Sequence, residues 1–192
     1  MKTLLVSAAF AAAILAPSAA SAQAVPAAVV AVVDLDRVTS ECNACKTASA
    51  TLRSQATSFQ SRRDTLASSL QTEQKSIQAA VDALKGKEPD AALQTRIKAF
   101  QTKAQQDEQE LAAQQQQIQA NQQYIQKQIA DKLGPIYQQV MTRRGANLLV
   151  EVGATLATSQ SVDVTNDVLS SLNASLPSIA TTAPAQPKPQ GR

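Results

Sequence analysis

Apolar residues recur through the middle of the chain in alternating steps of four and three. From Leu52, positions 52, 56, 59, 63, 66, 70, 73, 77, 80 and 84 carry Leu, Ala, Phe, Arg, Leu, Leu, Glu, Ile, Ala and Leu. This is a heptad seam with two polar interruptions. From Leu93, positions 93, 97, 100, 104, 107, 111, 114, 118, 121 and 125 repeat the alternation with Leu, Ile, Phe, Ala, Asp, Leu, Gln, Ile, Asn and Ile. Between the runs stands Gly86-Lys87-Glu88-Pro89, which a continuous helix would not tolerate. Folding the chain back at residues 86–90 pairs the seams with residue numbers summing to 177, and six of the ten layers are then wholly apolar. The pattern predicts an antiparallel helical hairpin with its tip at Gly86, Lys87, Glu88 and Pro89. Arms of roughly 40 residues would be about 60 Å long.

The flanks follow a different pattern. "AAVVAVVD", Ala28 to Asp34, is short, apolar and β-branched, and predicts a buried strand. "NLLVEV", Asn147 to Val152, predicts a second, and Gly145 before it suits a helix C-cap. Thr155 to Ser161 is expected to return as a third. Thr165 then reads as the N-cap of a short helix with Val168, Leu169 and Leu172 on one face. Beyond Ile125 the apolar positions Ile129, Leu133, Ile136 and Val140 slip one residue out of phase, near Gly134-Pro135. They predict a kinked helix that reaches Arg144 and joins the body. The expected fold is therefore α+β: a small β-sheet body from residues 28–45 and 145–173, with a helical arm, 46–144, inserted between its strands. The Pro-, Ala- and Thr-rich residues 174–192 are expected to be disordered.

Composition narrows the chemistry. The 192 residues include no His and no Trp, and aromatics make up 3%. Without His there is no Ser-His or Cys-His dyad, no C-x-x-C-H haem site and no Cys2His2 zinc site. Neither phosphate-cradling glycine signature occurs. Lys2, the apolar stretch Leu4 to Leu15 and Ala20-Ser21-Ala22 form a secretory signal peptide over residues 1–22. Export into an oxidising compartment is expected, the periplasm if the cell has two membranes.

Charge divides along the same boundaries. Residues 46–144 hold 14 Lys/Arg and 9 Asp/Glu, whereas the body segments hold six acids against Arg37. Basic arms suit acidic clients or an anionic membrane surface. Nucleic acid is disfavoured by the export signal, the interspersed acids and the scarcity of aromatics for stacking.

The two cysteines, Cys42 and Cys45, sit where the first arm must begin. Cys42 falls near the helix N-cap and Cys45 near the third helical position. A local disulfide there would staple the helix start. A redox role has a physical basis, because a helix N-terminus lowers a thiol pKa, but no thioredoxin-like βαβ pattern surrounds the pair. Free thiols and metal binding stay open as alternatives.

"VAVVDLDRV", the basic hairpin and "GANLLVEVGATLATSQSVDVTNDVLSSLN" together resemble the Skp/OmpH family of periplasmic chaperones over about residues 28–173. The resemblance implies a homotrimer with a trimeric β-core and tentacle-like arms around a cavity. It implies ATP-independent holding of unfolded outer-membrane β-barrel proteins, without cofactor, metal or catalysis. Client-steering candidates are then Arg53, Arg62, Lys75, Lys85, Lys87, Arg96, Lys98 and Lys103. The cysteine pair and the Pro-rich tail depart from better-known members. A structural envelope coiled coil is the alternative, and a C-x-x-C thiol-disulfide protein a more distant one.

Overall fold

The computed structural model describes residues 25–184. The expected signal peptide, residues 1–22, and the end of the expected tail, residues 185–192, lie outside the described residues. Strand β1 (Val30–Val33) leads into a short helix α1 (Leu35–Glu41), capped by Asp34, whose Oδ1 accepts from Arg37 N at 2.8 Å. The long helices α2 (Asn43–Ala83) and α3 (Ala91–Arg144) form the hairpin. Strand β2 (Leu148–Glu151) and helix α4 (Thr165–Ser175) complete the body. β1 and β2 pair in parallel, Val30 opposite Leu148 through Val33 opposite Glu151. Parallel neighbours need a long crossover, and here the whole arm supplies it. Asn147 fastens the start of the ladder. Its Oδ1 accepts from Val29 N at 2.7 Å and its Nδ2 donates to Ala27 O at 2.8 Å.

The core lies where four elements meet. Val38 of α1, Val140 of α3, and Val168 and Leu172 of α4 are fully buried, with Ala31 and Val33 of β1 against them. Leu133, Ile136 and Val140 form the out-of-phase stripe, and it does turn away from the hairpin seam into this body. α3 runs unbroken through Pro135. It ends at Gly145 in the left-handed region (φ 66°), where Ala146 N bonds Met141 O at 2.9 Å. Glycine adopts that conformation without the Cβ cost.

Three expectations are corrected. Residues 155–161 form no third strand. Two 3-10 turns, Val152–Ala154 and Gln160–Val162, replace it, and one isolated bridge joins Asp163 to Val32. The hydroxyls of this polar stretch bond locally instead, Thr155 to Val152 O and Ser159 to Ser161, which competes with ladder formation. Thr165 is not an N-cap: Val164 holds that position, and the buried Thr165 Oγ1 accepts from Asp34 N at 2.9 Å, tying α4 to β1. The tail is ordered as far as residue 184. Leu176 is buried, Ile179 packs on the core, and residues 180–183 are hydrogen-bonded along the arm.

Asp163 does the capping expected of Thr165. Its Oδ1 accepts from Thr165 N at 2.8 Å. Hydrogen bonds from the Thr165 side chain and backbone hold its carboxyl below the usual range, with Arg37 adding to the effect. A depressed folded pKa stabilises above the ordinary carboxylate range, and that contribution is lost as pH falls through the folded value. Asp163→Asn should therefore lower Tm at neutral pH and leave it unchanged well below the carboxylate range. Thermal melts at both pH values check this.

Candidate functional site

The arm is the part of the molecule without a structural explanation in the body, and it is built on a thin seam. Along α2 every predicted seam position is buried or half-buried except Ala56 and Arg63. Along α3 all ten are covered. Leu66, Asp107, Asn121 and Ile125 are the most buried. The other faces, dominated by Gln, Ser, Ala and charged residues, are exposed.

The register differs from the expected one. Cross-arm hydrogen bonds join Gln55 to Asn121, Arg62 to Glu110 and Glu73 to Arg96, pairs whose numbers sum to 176, 172 and 169. All fall below 177. The cause is the turn. α2 ends at Ala83 and α3 begins at Ala91, so the connection centres on Lys87 rather than between Glu88 and Pro89. Lys85 (φ 49°) and Gly86 (φ 86°) reverse the chain early, and Asp90 caps α3 by accepting from Leu93 N at 2.8 Å. The three pairs fall one, five and eight below 177, so no single sum describes the arm, and the departure grows toward the tip. The seam positions stay covered all the same, apart from Ala56 and Arg63.

Of the eight proposed steering cations, three are engaged within the arm, two of them across its helices. Arg62 binds Glu110 at 3.0 Å, and Arg96 binds Glu73 at 2.7 Å and Ser76 Oγ at 2.7 Å. Lys103 neutralises the buried Asp107 at 2.8 Å. Hydrogen bonding to Glu110 raises the Arg62 pKa, and bonding to Arg96 lowers that of Glu73. The other five, Arg53, Lys75, Lys85, Lys87 and Lys98, are exposed and form no ion pair among the described residues. Lys85 and Lys87 flank Gly86 at the exposed tip. Open grooves run along the seam; one of about 860 Å3 is lined by Leu70, Phe100, Glu73 and Arg96. Gln114 Oε1 is buried and has no hydrogen-bond partner among the described residues, a weak point in the seam.

Cys42 and Cys45 are joined as a disulfide. Cys42 ends α1 and is the N-cap of α2, with its Sγ accepting from Cys45 N at 3.2 Å. Both are buried in the body core, out of reach of an attacking thiolate. Among the described residues no group of three or more His, Cys, Asp or Glu side chains gathers to hold a metal ion. Reducing the bond should cost roughly 2 kcal/mol, the chain-entropy value for so short a loop. Urea unfolding with and without reductant measures it; identical midpoints would refute the staple.

Sequence reasoning missed one feature of the arm's root. Four amide side chains, Gln55, Gln117, Asn121 and Gln128, hold the main chain of residues 180–183. The trace available in the sequence was Leu172, Leu176 and Ile179, which continue the apolar spacing of α4 past Pro177.

Body and arm together define a class: a small α+β body from which one long helical hairpin projects between the two strands of its sheet. Residues 29–172 match the family described as outer membrane protein (OmpH-like), and the chain belongs to that family. It is similar in structure to a protein of Caulobacter crescentus CB15 described as an OmpH-like outer membrane chaperone. The TM-score is 0.68 at 18% identity, over 87% of this chain and 96% of the other. At that identity the likeness is one of fold. No curated protein matches the chain.

Proposed function

We propose that the protein is an exported, ATP-independent holdase that keeps unfolded outer-membrane β-barrel proteins from aggregating in the periplasm. The observation that carries the reading is the arm. It is a projecting hairpin buried only along a thin seam, with grooves on its surface and exposed cations, including two at its tip. Such a surface offers many weak apolar and charge contacts, which suit a chain that must be held and later released. No catalytic group or cofactor is assigned.

The body supports a homotrimer. The sheet has two strands, and β1 is covered on its outer side by Asp163 and Val164, leaving β2 as the open edge. Val30 of β1 and Leu148 of β2 are exposed, as are Val29 before β1 and Leu156 after β2. Symmetric association would cover the open β2 edge and set three arms around a common space. A β-barrel membrane protein diluted from urea into the purified protein should co-elute with it, and light scattering should give the mass of three chains plus one client. A folded partner bound stoichiometrically, with no complex formed by the unfolded client, would favour an envelope scaffold instead.

A further inference from the structure

Residues 179–183 run extended along the root of the arm. Ile179, Thr181 and Ala183 are half-buried, while Ala180 and Thr182 face solvent, the two-residue alternation of a strand. Gln128 Nε2 donates to Ala180 O at 2.8 Å, and Gln128 Oε1 accepts from Ala180 N at 3.0 Å. Asn121 Oδ1 accepts from Ala183 N at 2.8 Å, and Gln117 Nε2 donates to Ala183 O at 3.4 Å. From the opposite helix Gln55 Nε2 donates to Thr181 O at 3.4 Å. Asn121 also bonds Gln55 and Gln117, so three of the four amides form a connected set.

All five hydrogen bonds end on main-chain atoms of the segment. Recognition of that kind ignores sequence and asks only for an extended backbone with small or apolar residues at alternate positions. An unfolded polypeptide offers many such stretches. The segment itself is weakly held. Most of its contacts are exposed hydrogen bonds, each worth little net, and ordering the chain opposes them. Pro177 and Pro184 favour extended backbone in the residues before them, which lowers that ordering cost.

We propose that Gln55, Gln117, Asn121 and Gln128 form a binding site for the extended backbone of an unfolded chain. Residues 179–183 occupy the site in cis until such a chain displaces them. The proposal rests on the chaperone reading and adds a place and a mode of contact to it.

Amide hydrogen exchange on the full mature chain tests it, with a reduced and carboxymethylated protein as the unfolded probe. The N–H groups of Ala180 and Ala183, protected in the free protein, should exchange roughly tenfold faster under saturating probe. The double variant Ala180→Pro/Ala183→Pro removes the tail's two donors and leaves the amides untouched. It should bind the probe a few-fold tighter, because a larger fraction of sites is open. A segment that only braces the two helices would leave affinity unchanged or weaken it. Unchanged exchange at Ala180 and Ala183 with probe bound, or unchanged or weaker affinity in the proline variant, overturns the proposal and leaves the chaperone reading standing. A probe that binds neither protein overturns both.

Discussion

Leu172→Ala is expected to destabilise the body by about 2–5 kcal/mol, the range for emptying a fully packed aliphatic site. Leu172 is completely buried and shares its core with Val38, Val140 and Val168, so α1, α3 and α4 all lose contacts at once. The body is small, and its two strands alone cannot compensate. Helical circular dichroism would under-report the change, because the long arm dominates that signal. Fluorescence of Tyr137, which is partly buried against the core, is the better probe, in a Tyr124→Phe background. Its urea midpoint should fall with the slope unchanged. A loss below about 1 kcal/mol would mean that the site collapses around the deletion and that the core is not as described.

The second large effect is kinetic. Lys85→Glu together with Lys87→Glu would change residues 46–144 from 14 cations and 9 acids to 12 and 11. Both side chains are exposed and unpaired among the described residues, so helix content should not move. For an acidic unfolded client, capture should slow by about tenfold at low ionic strength, since steering acts mainly on the association rate. The difference should shrink in physiological salt, where screening operates within roughly 8 Å. Stopped-flow anisotropy at two salt concentrations measures it. Equal rates at low salt would remove the tip from the client surface. Arg96→Glu is the instructive contrast: it would break the tie to Glu73 and loosen the arm itself.

The arm's seam was legible in the sequence because a heptad pattern is local. Leu66, Leu70, Phe100 and Leu111 declare their face through their immediate neighbours. The register was not legible to the same accuracy. It depends on where the chain turns, and the early reversal uses Lys85 in a left-handed conformation that glycine usually marks. The missing third strand had a similar origin. Thr155 to Ser161 has the place of a returning strand in the chain order, yet its hydroxyls find closer partners than a ladder would give.

The candidate site divides in the same way. Lys103 and Asp107 stand four apart on one helix, so their pairing could be read from spacing. Arg62 and Glu110 meet only after the hairpin closes, 48 residues apart. The ordered tail left almost no trace, because amides that grip a backbone impose little on the sequence they grip. Composition alone made residues 174–192 look disordered. Leu176 and Ile179, two apolar residues among Ser, Pro, Ala and Thr, were the exceptions.

The central claim is that this arm-bearing protein holds unfolded outer-membrane proteins. The most direct measurement is light scattering after a β-barrel membrane protein is diluted from urea into buffer containing the purified mature chain, without nucleotide. The account predicts that scattering is suppressed, and fully so once trimers exceed client. Undiminished aggregation at several-fold trimer excess would contradict it.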